Sequence, residues 1–595
     1  PDRTRAWVTL EGSGELAVIA LDSRMVVATV PLGPDPRGIA VSDERVVVTR
    51  LISPETQGEL YVVDPGQLDA GAQRIALAPS PGPDRADAGR GVPNYINSVA
   101  ISPSGTRAWV TAKLDNLARG LIRDGEPLNT TNTVRTVVTE VDLVAGAEVE
   151  GKRFDLDDHN MAFAVALSPR GDLVFVASLG THLVDVLDAY SGRRIAGIAT
   201  GLAPQGLALT DGGQLVVHNL LSRTLSVFDV SGLLAGTDGA ARPVAEVTTV
   251  EQEPLSPEVL LGKQIFYNAD SRALSQDGYI SCATCHLNGA DDGQVWDFTD
   301  RGEGLRNTTD LRGRAGTAHG PLHWTANFDE VQDFENDIRN HFGGHGLMTD
   351  ADFEADNRSD PLGGSKAGVS ARLDALSAYV TTLDRYPKSP WRNADGTRTE
   401  AGERGYDLFL RLDCLDCHTT QTLTDSGTAL HDVGTLAEHS GQRLGGELTG
   451  IDTPTLHGVY DTAPYFHDGS APTLRDTLTR PGHGNAQGLT EGQLDDLVAF
   501  MLQLEGEPLG LERREPLPEP QEDTGLGGTD GDTGVGPDAM PDTGLPNTDA
   551  PTTRSSGGGG SSCAVWPGRP TTPLGTGLVL LLLGQVFVRR RRMKR

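Results

Sequence analysis

Positive charge is scarce in this sequence. Lys and Arg number 50 among 595 residues, against 82 Asp and Glu, so the formal net charge at pH 7 is −32. A deficit of this size argues against nucleic acid and anionic membrane surfaces as partners, and it favours solubility or a partner with a basic surface. The length corresponds to roughly three or four domains.

Cysteine is also rare. Of five cysteines, four form two Cys-x-x-Cys-His segments, at 282–286 and 414–418, and Cys563 stands alone in a Gly/Ser stretch. A disulfide framework needs paired cysteines within a small domain, so this pattern excludes one. The chain starts at Pro1 without a secretory signal. We therefore expect a mature form or a fragment that lacks its N-terminus.

Residues 1–253 carry a β-repeat. The clearest unit, 164–195, alternates apolar and polar residues in segments that are separated by Ser-Pro-x-Gly and Ser-Gly turns. Its opening recurs at 98–111 and 206–217. Four-stranded units with a period of roughly 40 residues are typical of propeller blades. We predict an all-β propeller of about five blades, one of them incomplete, and its sequence resembles the YVTN family of β-propellers.

Two helical frames follow, one around each Cys-x-x-Cys-His segment. Ser256-Pro257 predicts a capped helix start before the first segment, and Thr490 with a Gln three residues later predicts a capping box on the last helix. The closing helices are alike, since 373–383 is LDALSAYVTTL and 494–504 is LDDLVAFMLQL. This duplication predicts two mainly α cytochrome c-type domains.

The C-terminal part of the chain is rich in Pro, Asp, Gly and Thr, and this composition cannot bury a core. An apolar run at 577–588 is short for a membrane span, but the Arg cluster after it orients the chain with that end in the cytoplasm. The tail resembles the MYXO-CTERM sorting signal, with Cys563 as its processing residue. The resemblance implies a membrane anchor or sorting signal and a location in the periplasm or at the outer cell surface.

These patterns divide the chain into five predicted parts. They are an N-terminally incomplete β-propeller at 1–253, an N-terminal haem domain at 254–397, a C-terminal haem domain at 398–507, a disordered acidic linker at 508–562, and a sorting or anchor tail with a short hydrophobic segment at 563–595.

The Cys-x-x-Cys-His segments predict covalent haem. Two thiols at this spacing add across the vinyl groups of a haem, and the adjacent His lies beneath the iron as proximal ligand. The candidates for attachment are Cys282, Cys285, Cys414 and Cys417, and those for iron ligation are His286 and His418. The alternative is a structural zinc site, which would need its Cys pairs in one short knuckle. Here the pairs lie far apart in sequence, so we predict two haem c groups.

Residues 256–506 resemble the bacterial di-haem cytochrome c peroxidase and MauG family. The resemblance is carried by LGKQIFY at 261–267, ISCATCH at 280–286, LRNT at 305–308, TPTLHGV at 453–459 and APYFHDGS at 463–470. It implies two helical domains packed around their interface. It also implies that the haem of His286 meets peroxide, and that the haem of His418 receives electrons from outside.

The same resemblance implies further residue roles. His323-Trp324 matches the tryptophan-bearing segment between the haems, and Gln332 and Glu335 fall near the distal polar residues that move protons as the O–O bond breaks. The positions that match an interdomain calcium site are Asn307, Thr462 and Pro464. The segment GGHGLM at 343–348 departs from the peroxidase pattern, which leaves a function other than peroxidase open.

The distal ligand of the second haem is predicted to be His483. Peroxidases of this family carry a Met shortly after the Tyr-Phe-His-Asp-Gly segment, and this chain has RPGHG at 480–484 in that place. Replacing a thioether ligand by imidazole lowers the reduction potential. His467, within the segment itself, is predicted to order the haem surroundings.

Three functions stay open at this stage. The first is a peroxidase-like oxidoreductase that passes electrons from a small cytochrome or cupredoxin through the second haem to the first, where peroxide or another small oxidant reacts. The second is an electron-transfer cytochrome at the cell surface, without peroxidase activity. The third is a surface-anchored protein whose propeller binds an unknown ligand. An open coordination position on the His286 haem would distinguish the first from the others.

Overall fold

The structure is a computed structural model. It describes residues 4–85, 89–118, 130–419 and 421–515, with the backbone alone at 122–123 and 126–127. Most of the predicted linker, the whole predicted tail and Cys563 lie outside these ranges. Within them, no helix is long and apolar enough to cross a membrane.

Five antiparallel sheets form the N-terminal region in chain order. The first two comprise β1 (Arg5–Leu10), β2 (Glu15–Ala20) and β3 (Met25–Pro31), then β4 (Pro36–Val41), β5 (Val46–Arg50), β6 (Gly58–Val63) and β7 (Ala72–Leu77). The third comprises β8 (Val92–Asn94), β9 (Val99–Ile101) and β10 (Arg107–Asp115), then, after the small pair β11 (Ile122–Arg123) and β12 (Glu126–Pro127), β13 (Val134–Asp142) and β14 (Ala147–Asp155). The fourth and fifth comprise β15 (Ala162–Leu167), β16 (Leu173–Ser178), β17 (Leu183–Asp188) and β18 (Arg194–Ala199), then β19 (Pro204–Leu209), β20 (Gln214–Asn219), β21 (Thr224–Asp229) and, after helix α1 (Ser231–Ala235), β22 (Arg242–Thr248).

The fourth sheet confirms the predicted four-segment unit. Its Ser-Pro-x-Gly turn closes β15 on β16, because Ser168 Oγ accepts the N–H groups of Asp172 and Leu173 at 3.0 Å each. Successive sheets pack face to face, with Trp109 and Val174 in the core between the third and fourth sheets. This succession, in which the first sheet has three strands, is consistent with a propeller-like domain.

The region after the sheets is mainly helical. Its helices are α2 (Pro257–Phe266), α3 (Phe334–Asn340), α4 (Asp350–Glu354), α5 (Ala371–Thr381), α6 (Glu400–Arg411), α7 (Leu474–Thr479) and α8 (Glu491–Met501), and its short strands are β23 (Val295–Phe298), β24 (Gly304–Asn307), β25 (Leu430–His431) and β26 (Ile451–Asp452). Both predicted caps are confirmed, since the side chain of Ser256 accepts from Val259 N and that of Thr490 from Gln493 N.

The duplicated frame has the same helix crossing in both copies. α2 packs on α5, and α6 packs on α8. A Cβ atom added at Gly262 would lie 1.8 Å from the carbonyl oxygen of Ala375, and one added at Gly405 would lie 1.9 Å from that of Asp496. Each pair of helices therefore crosses with its backbones in contact, which only glycine permits. The boundaries 254–397 and 398–507 stay predictions.

Candidate functional site

The second Cys-x-x-Cys-His segment opens onto a cavity of about 370 Å³. We call it the second cavity, after this segment. Its wall is mainly apolar and includes Phe409, Leu474, Leu478, Leu497 and Met501. Cys414, Cys417 and His418 face the same cavity. The volume falls within the range of roughly 300–1,000 Å³ that is usual for ligand and cofactor sites. Two thiols, an imidazole and apolar walls around one cavity fit a covalently held haem.

His418 is oriented as a metal ligand. Its Nδ1 lies 2.8 Å from the carbonyl oxygen of Leu423, which leaves Nε2 available. Such a hydrogen bond fixes the tautomer and ring orientation of histidines that ligate metals. Burial lowers the pKa of His418 to about 4, so the ring is the neutral imidazole that coordination requires.

His483 offers a second imidazole to this cavity. Its Nδ1 lies 2.9 Å from the carbonyl oxygen of Thr477, so Nε2 is again available. The ring of Phe466 packs edge-on against it at 5.3 Å between centroids. His457 also lines the cavity, but it has no available ring nitrogen. Its two nitrogens bond Gln421 O at 2.7 Å and Gly506 N at 3.0 Å. His467 bonds Ser440 Oγ through Nε2 at 2.9 Å, which agrees with an ordering role.

The first Cys-x-x-Cys-His segment begins as a short 3₁₀ turn, Cys282–Thr284, in a different core. Burial raises the pKa of Cys282 to about 12, so this thiol is neutral. Burial also lowers the pKa of His286 to about 4. Among the described residues, its buried Nδ1 has no hydrogen-bond partner. A neutral imidazole beside two thiols fits the same haem chemistry as the second segment.

The β-sheet region closes over this first segment. Leu51, Leu179 and Leu221, each just after a strand, share one buried core with Ile265 and Leu287 of the helical region. Sequence periodicity did not reveal this joint, because the residues involved belong to strands and turns whose own pattern is complete without it.

Polar bonds reinforce the same joint. Asn160 donates to the hydroxyl of Thr284 at 2.8 Å, inside the Cys-x-x-Cys-His segment itself. Arg135 donates to the hydroxyl of Tyr279 at 2.7 Å. The side chains of Asn160, Thr284, Arg135 and Tyr279 are all buried. The sheets are therefore part of the surroundings of the first site.

The three residues predicted to act in catalysis are not brought together by hydrogen bonds. Trp324 lines the second cavity and donates its Nε1–H to Asn307 O at 2.8 Å. Gln332 donates to Asp374 at 2.9 Å. The carboxylate of Glu335 is fully buried and accepts from Arg339 Nε at 2.7 Å and from Leu347 N at 2.8 Å. Gln332 and Glu335 are thus engaged in holding the segments around them, and their catalytic role stays a prediction.

His323 is a candidate that the sequence named only as the neighbour of Trp324. Its Nδ1 lies 2.7 Å from Asn327 Oδ1, and Asn327 donates in turn to Glu303 at 2.6 Å. Its ring packs against Phe328 at 4.4 Å and against Phe334 at 5.3 Å. After burial, and against the effects of Asp292 and Asp310, His323 is among the groups that lower the pKa of His286. An additional imidazole with an available Nε2 therefore lies near His286 and another near His418.

The predicted calcium positions lie together on the wall of the second cavity. Asn307, Thr462 and Pro464 all line it, and the side-chain amide of Asn307 donates to Pro464 O. The hydroxyl of Thr462 lies 3.4 Å from Val459 O. Calcium takes six to eight oxygen ligands, and these residues offer carbonyl and hydroxyl oxygens. The calcium site stays a prediction.

The two cysteine pairs cannot share one zinc ion. Cys282 packs against the core of the first segment, and Cys414 packs against a separate core. Within the part of the chain that the structure describes, Cys417, Asp425 and His431 bring possible ligand atoms within 4.8 Å of one another. That group draws on a thiol of the haem motif, so it does not form an independent metal site.

Comparison with known proteins agrees with this chemistry. Residues 450–482, which supply one wall of the second cavity, match the family model "RoxA-like, cytochrome c-like". The gamma subunit of hydrazine synthase from Kuenenia stuttgartiensis is 30% identical over 297 residues, which cover 42% of this chain and 79% of the relative. MauG of Methylorubrum extorquens is 28% identical, with 47% and 87% covered, and the cytochrome c551 peroxidase of Nitrosomonas europaea is 24% identical, with 49% and 91% covered. The chain belongs to the family of cytochromes c that includes the bacterial di-haem peroxidases, MauG and this hydrazine synthase subunit.

Proposed function

We propose that this cytochrome c oxidoreductase takes electrons from a protein donor at its second haem and passes them to the first, where peroxide or another small oxidant is reduced. The observation that carries the proposal is the unequal exposure of the side chains that flank the cysteines in the two haem motifs. A donor protein needs a haem near the surface, whereas a reacting haem is better placed where the protein controls access.

Two acidic side chains of the second motif reach the surface. Asp413, which precedes Cys414, and Asp416, which lies within the motif, are exposed. The corresponding positions of the first motif, Ser281 and Thr284, are buried, because the β-sheet region packs over them. This difference supports electron entry at the second motif.

The donor is expected to be a small cytochrome or cupredoxin with a basic face. Exposed carboxylates flank the second motif, and the chain as a whole carries −32. A basic partner would be attracted to these carboxylates, which raises its association rate, chiefly at low ionic strength.

Aromatic side chains lie between the two motifs. Tyr386 lines the second cavity and also a surface cleft that includes Asn288, two positions after His286. Trp324 lines the second cavity and follows His323 directly. These residues support electron transfer from the second haem to the first.

Each residue has a proposed part in holding haem. Cys282 with Cys285 and Cys414 with Cys417 would attach the two groups, and His286 and His418 would ligate iron from the proximal side. We propose His483 as the distal ligand of the second haem, because its available Nε2 and that of His418 serve one cavity. When bound, the haems supply the one-electron chemistry, and the chain supplies position, access and electrostatics.

A second function is favoured by the two additional imidazoles. If His323 ligates the first haem as His483 ligates the second, neither iron would have a coordination position open to substrate, and the protein would be an electron-transfer cytochrome. The bond from His323 to Asn327 leaves Nε2 suited to this role.

Two attachment variants separate these functions. The haem-loaded full chain is half-reduced and mixed with hydrogen peroxide, and the visible spectrum and donor oxidation are followed. A Cys282→Ala/Cys285→Ala variant should lose the response to peroxide but still accept electrons. A Cys414→Ala/Cys417→Ala variant should lose donor oxidation. Absence of any response to peroxide in the unaltered protein would reject the peroxidase proposal in favour of electron transfer.

Several finer assignments belong to the same proposal. They are the presence of two haems, the division into two cytochrome domains, the interdomain calcium ion, a location in the periplasm or at the outer cell surface, and anchoring or sorting through the tail at 563–595. The sorting-signal resemblance and the basic C-terminus support the last two.

A further inference from the structure

A tyrosine of the β-sheet region holds the main chain on both sides of His286. Tyr95 lies between β8 and β9, is 2% exposed and has a left-handed backbone, with φ of 46°. Its hydroxyl donates to the carbonyl oxygen of Cys285 at 3.0 Å and lies 3.4 Å from the N–H of Leu287. A phenol can donate one hydrogen bond and accept another. One side chain from the sheets therefore fixes both peptides that flank the proximal histidine.

A buried cluster of charges lies behind the tyrosine ring. Lys113 Nζ is 4.4 Å from the centroid of Tyr95 and 3.0 Å from a carboxylate oxygen of both Asp115 and Asp292. Each of the three charged side chains is at most 1% exposed. Lys113 and Asp115 come from β10, whereas Asp292 follows the haem motif. Trp296 Nε1 donates to Asp292 at 3.2 Å.

The charges in this cluster lie close to the haem motif, because Lys113 Nζ is 4.4 Å from the ring of Tyr95, whose hydroxyl bonds Cys285 O. Two carboxylates and one ammonium carry one net negative charge when all are ionised. Burial raises the pKa of Asp115 to about 6, against the opposing effect of Lys113. Charges in a medium of low dielectric constant interact over longer distances than charges in water.

We propose that Tyr95, Lys113 and Asp115 are positioning residues of the first haem site, which hold the peptides around His286 and set the reduction potential of its haem. The proposal requires that His286 binds haem iron, as proposed above. Ferric haem carries one more positive charge than ferrous haem. A more negative cluster therefore stabilises the ferric form and lowers the potential, and a less negative cluster raises it.

A role in packing alone predicts something different. Removing either partner of a buried ion pair destabilises a protein, whichever sign is removed. A loss of packing would thus affect Lys113 and Asp115 variants in the same direction. An electrostatic role requires opposite shifts of the potential.

The test is a redox titration of the haem-loaded full chain at pH 9, above the pKa of about 6 for Asp115. Lys113→Gln should lower the potential of one haem, and Asp115→Asn should raise it. We expect each to change the ferric-to-ferrous ratio about tenfold at a fixed potential, which corresponds to about 59 mV for one electron. Arg153→Gln is the control, since it breaks an ion pair with Glu148 at 2.7 Å on the outer strand of the same sheet. It should leave both potentials unchanged.

Tyr95→Phe keeps the ring and removes only the hydrogen bonds of the hydroxyl, so it serves if a charge variant fails to fold. It should alter the electron paramagnetic resonance signal of one ferric haem while the other stays as in the unaltered protein. Shifts of equal sign in both charge variants, or unchanged potentials together with an unchanged signal in Tyr95→Phe, would overturn the proposal. Mass spectrometry of the peptide with Cys282 and Cys285 distinguishes failure of this inference from failure of the proposed function. A peptide without haem would reject the proposed function itself.

Discussion

The Arg135→Met variant should destabilise the sheet region and the first haem motif together. The guanidinium of Arg135 is completely buried and bonds Asp155 at 2.6 Å, Asp157 at 3.0 Å and the hydroxyl of Tyr279 at 2.7 Å. Tyr279 lies three residues before Cys282, so a single side chain joins β13 to the haem motif.

The magnitude follows from leaving buried partners without their counter-charge. Removing one member of a buried ion pair costs about 3–5 kcal/mol. Asp155 is nearly buried with 9% of its side chain exposed, whereas Asp157 has 51% exposed and can be solvated. We therefore expect a loss of about 3 kcal/mol. A loss of this size lowers Tm by roughly 6–12 °C in a unit of 150–250 residues.

The assay follows both regions during thermal unfolding. Far-ultraviolet circular dichroism reports the sheets and helices, and Soret absorption reports the haems. Arg153→Met is the matched control, because its ion pair with Glu148 is partly exposed and should contribute less than about 1 kcal/mol. Both signals should shift together in Arg135→Met. If its midpoint equals that of the control, or if the haem signal stays in place while the sheet signal moves, the joint does not couple the two regions.

Three further outcomes are expected. His483→Ala should convert the second haem to high spin while Met501→Leu leaves its spin state unchanged, as followed by visible and paramagnetic resonance spectra; a methionine–iron band in the oxidised unaltered protein would contradict the His483 assignment. Burial raises the pKa of Asp452 to about 6, so its contribution to the free energy of unfolding is complete below about pH 4 and is lost as the pH rises to about 6. Asp452→Asn should remove up to about 3 kcal/mol of this pH dependence, as measured by denaturant titrations across that window. Deletion from Cys563 onward should release soluble, haem-loaded protein, and continued fractionation of the truncated chain with membranes would count against the anchor or sorting signal.

Local features of this protein were predictable from the sequence. The helix starts at Ser256 and Thr490 follow from side chains that accept hydrogen bonds within three residues. The strands of the β-repeat follow from alternation and turn residues. The haem motifs are equally local, because two thiols and an imidazole within five positions are sufficient to define them. The bond from His418 to Leu423 also lies within this range.

Other features depend on residues that are distant in sequence. Gln332 and Glu335 have suitable chemistry for catalysis, but their partners, Asp374 and Leu347, are fixed only by the packing of separate segments. A sequence pattern states which groups a residue carries, and it does not state which groups it meets.

The sequence by itself predicted the chemistry, namely covalent haem attachment and two proximal histidines, and it determined the order of sheets and helices. Only the tertiary structure decided that the two motifs have unequal surroundings, with Asp413 and Asp416 of the second exposed and Ser281 and Thr284 of the first buried beneath the sheets. The physical reason is that sheets pack against each other through the faces of their strands, and this packing sets the alternation of apolar and polar residues. Contacts made beyond those faces do not alter the alternation. The contacts of Tyr95, Lys113 and Arg135 with residues 279–292 therefore cannot be read from the sequence pattern.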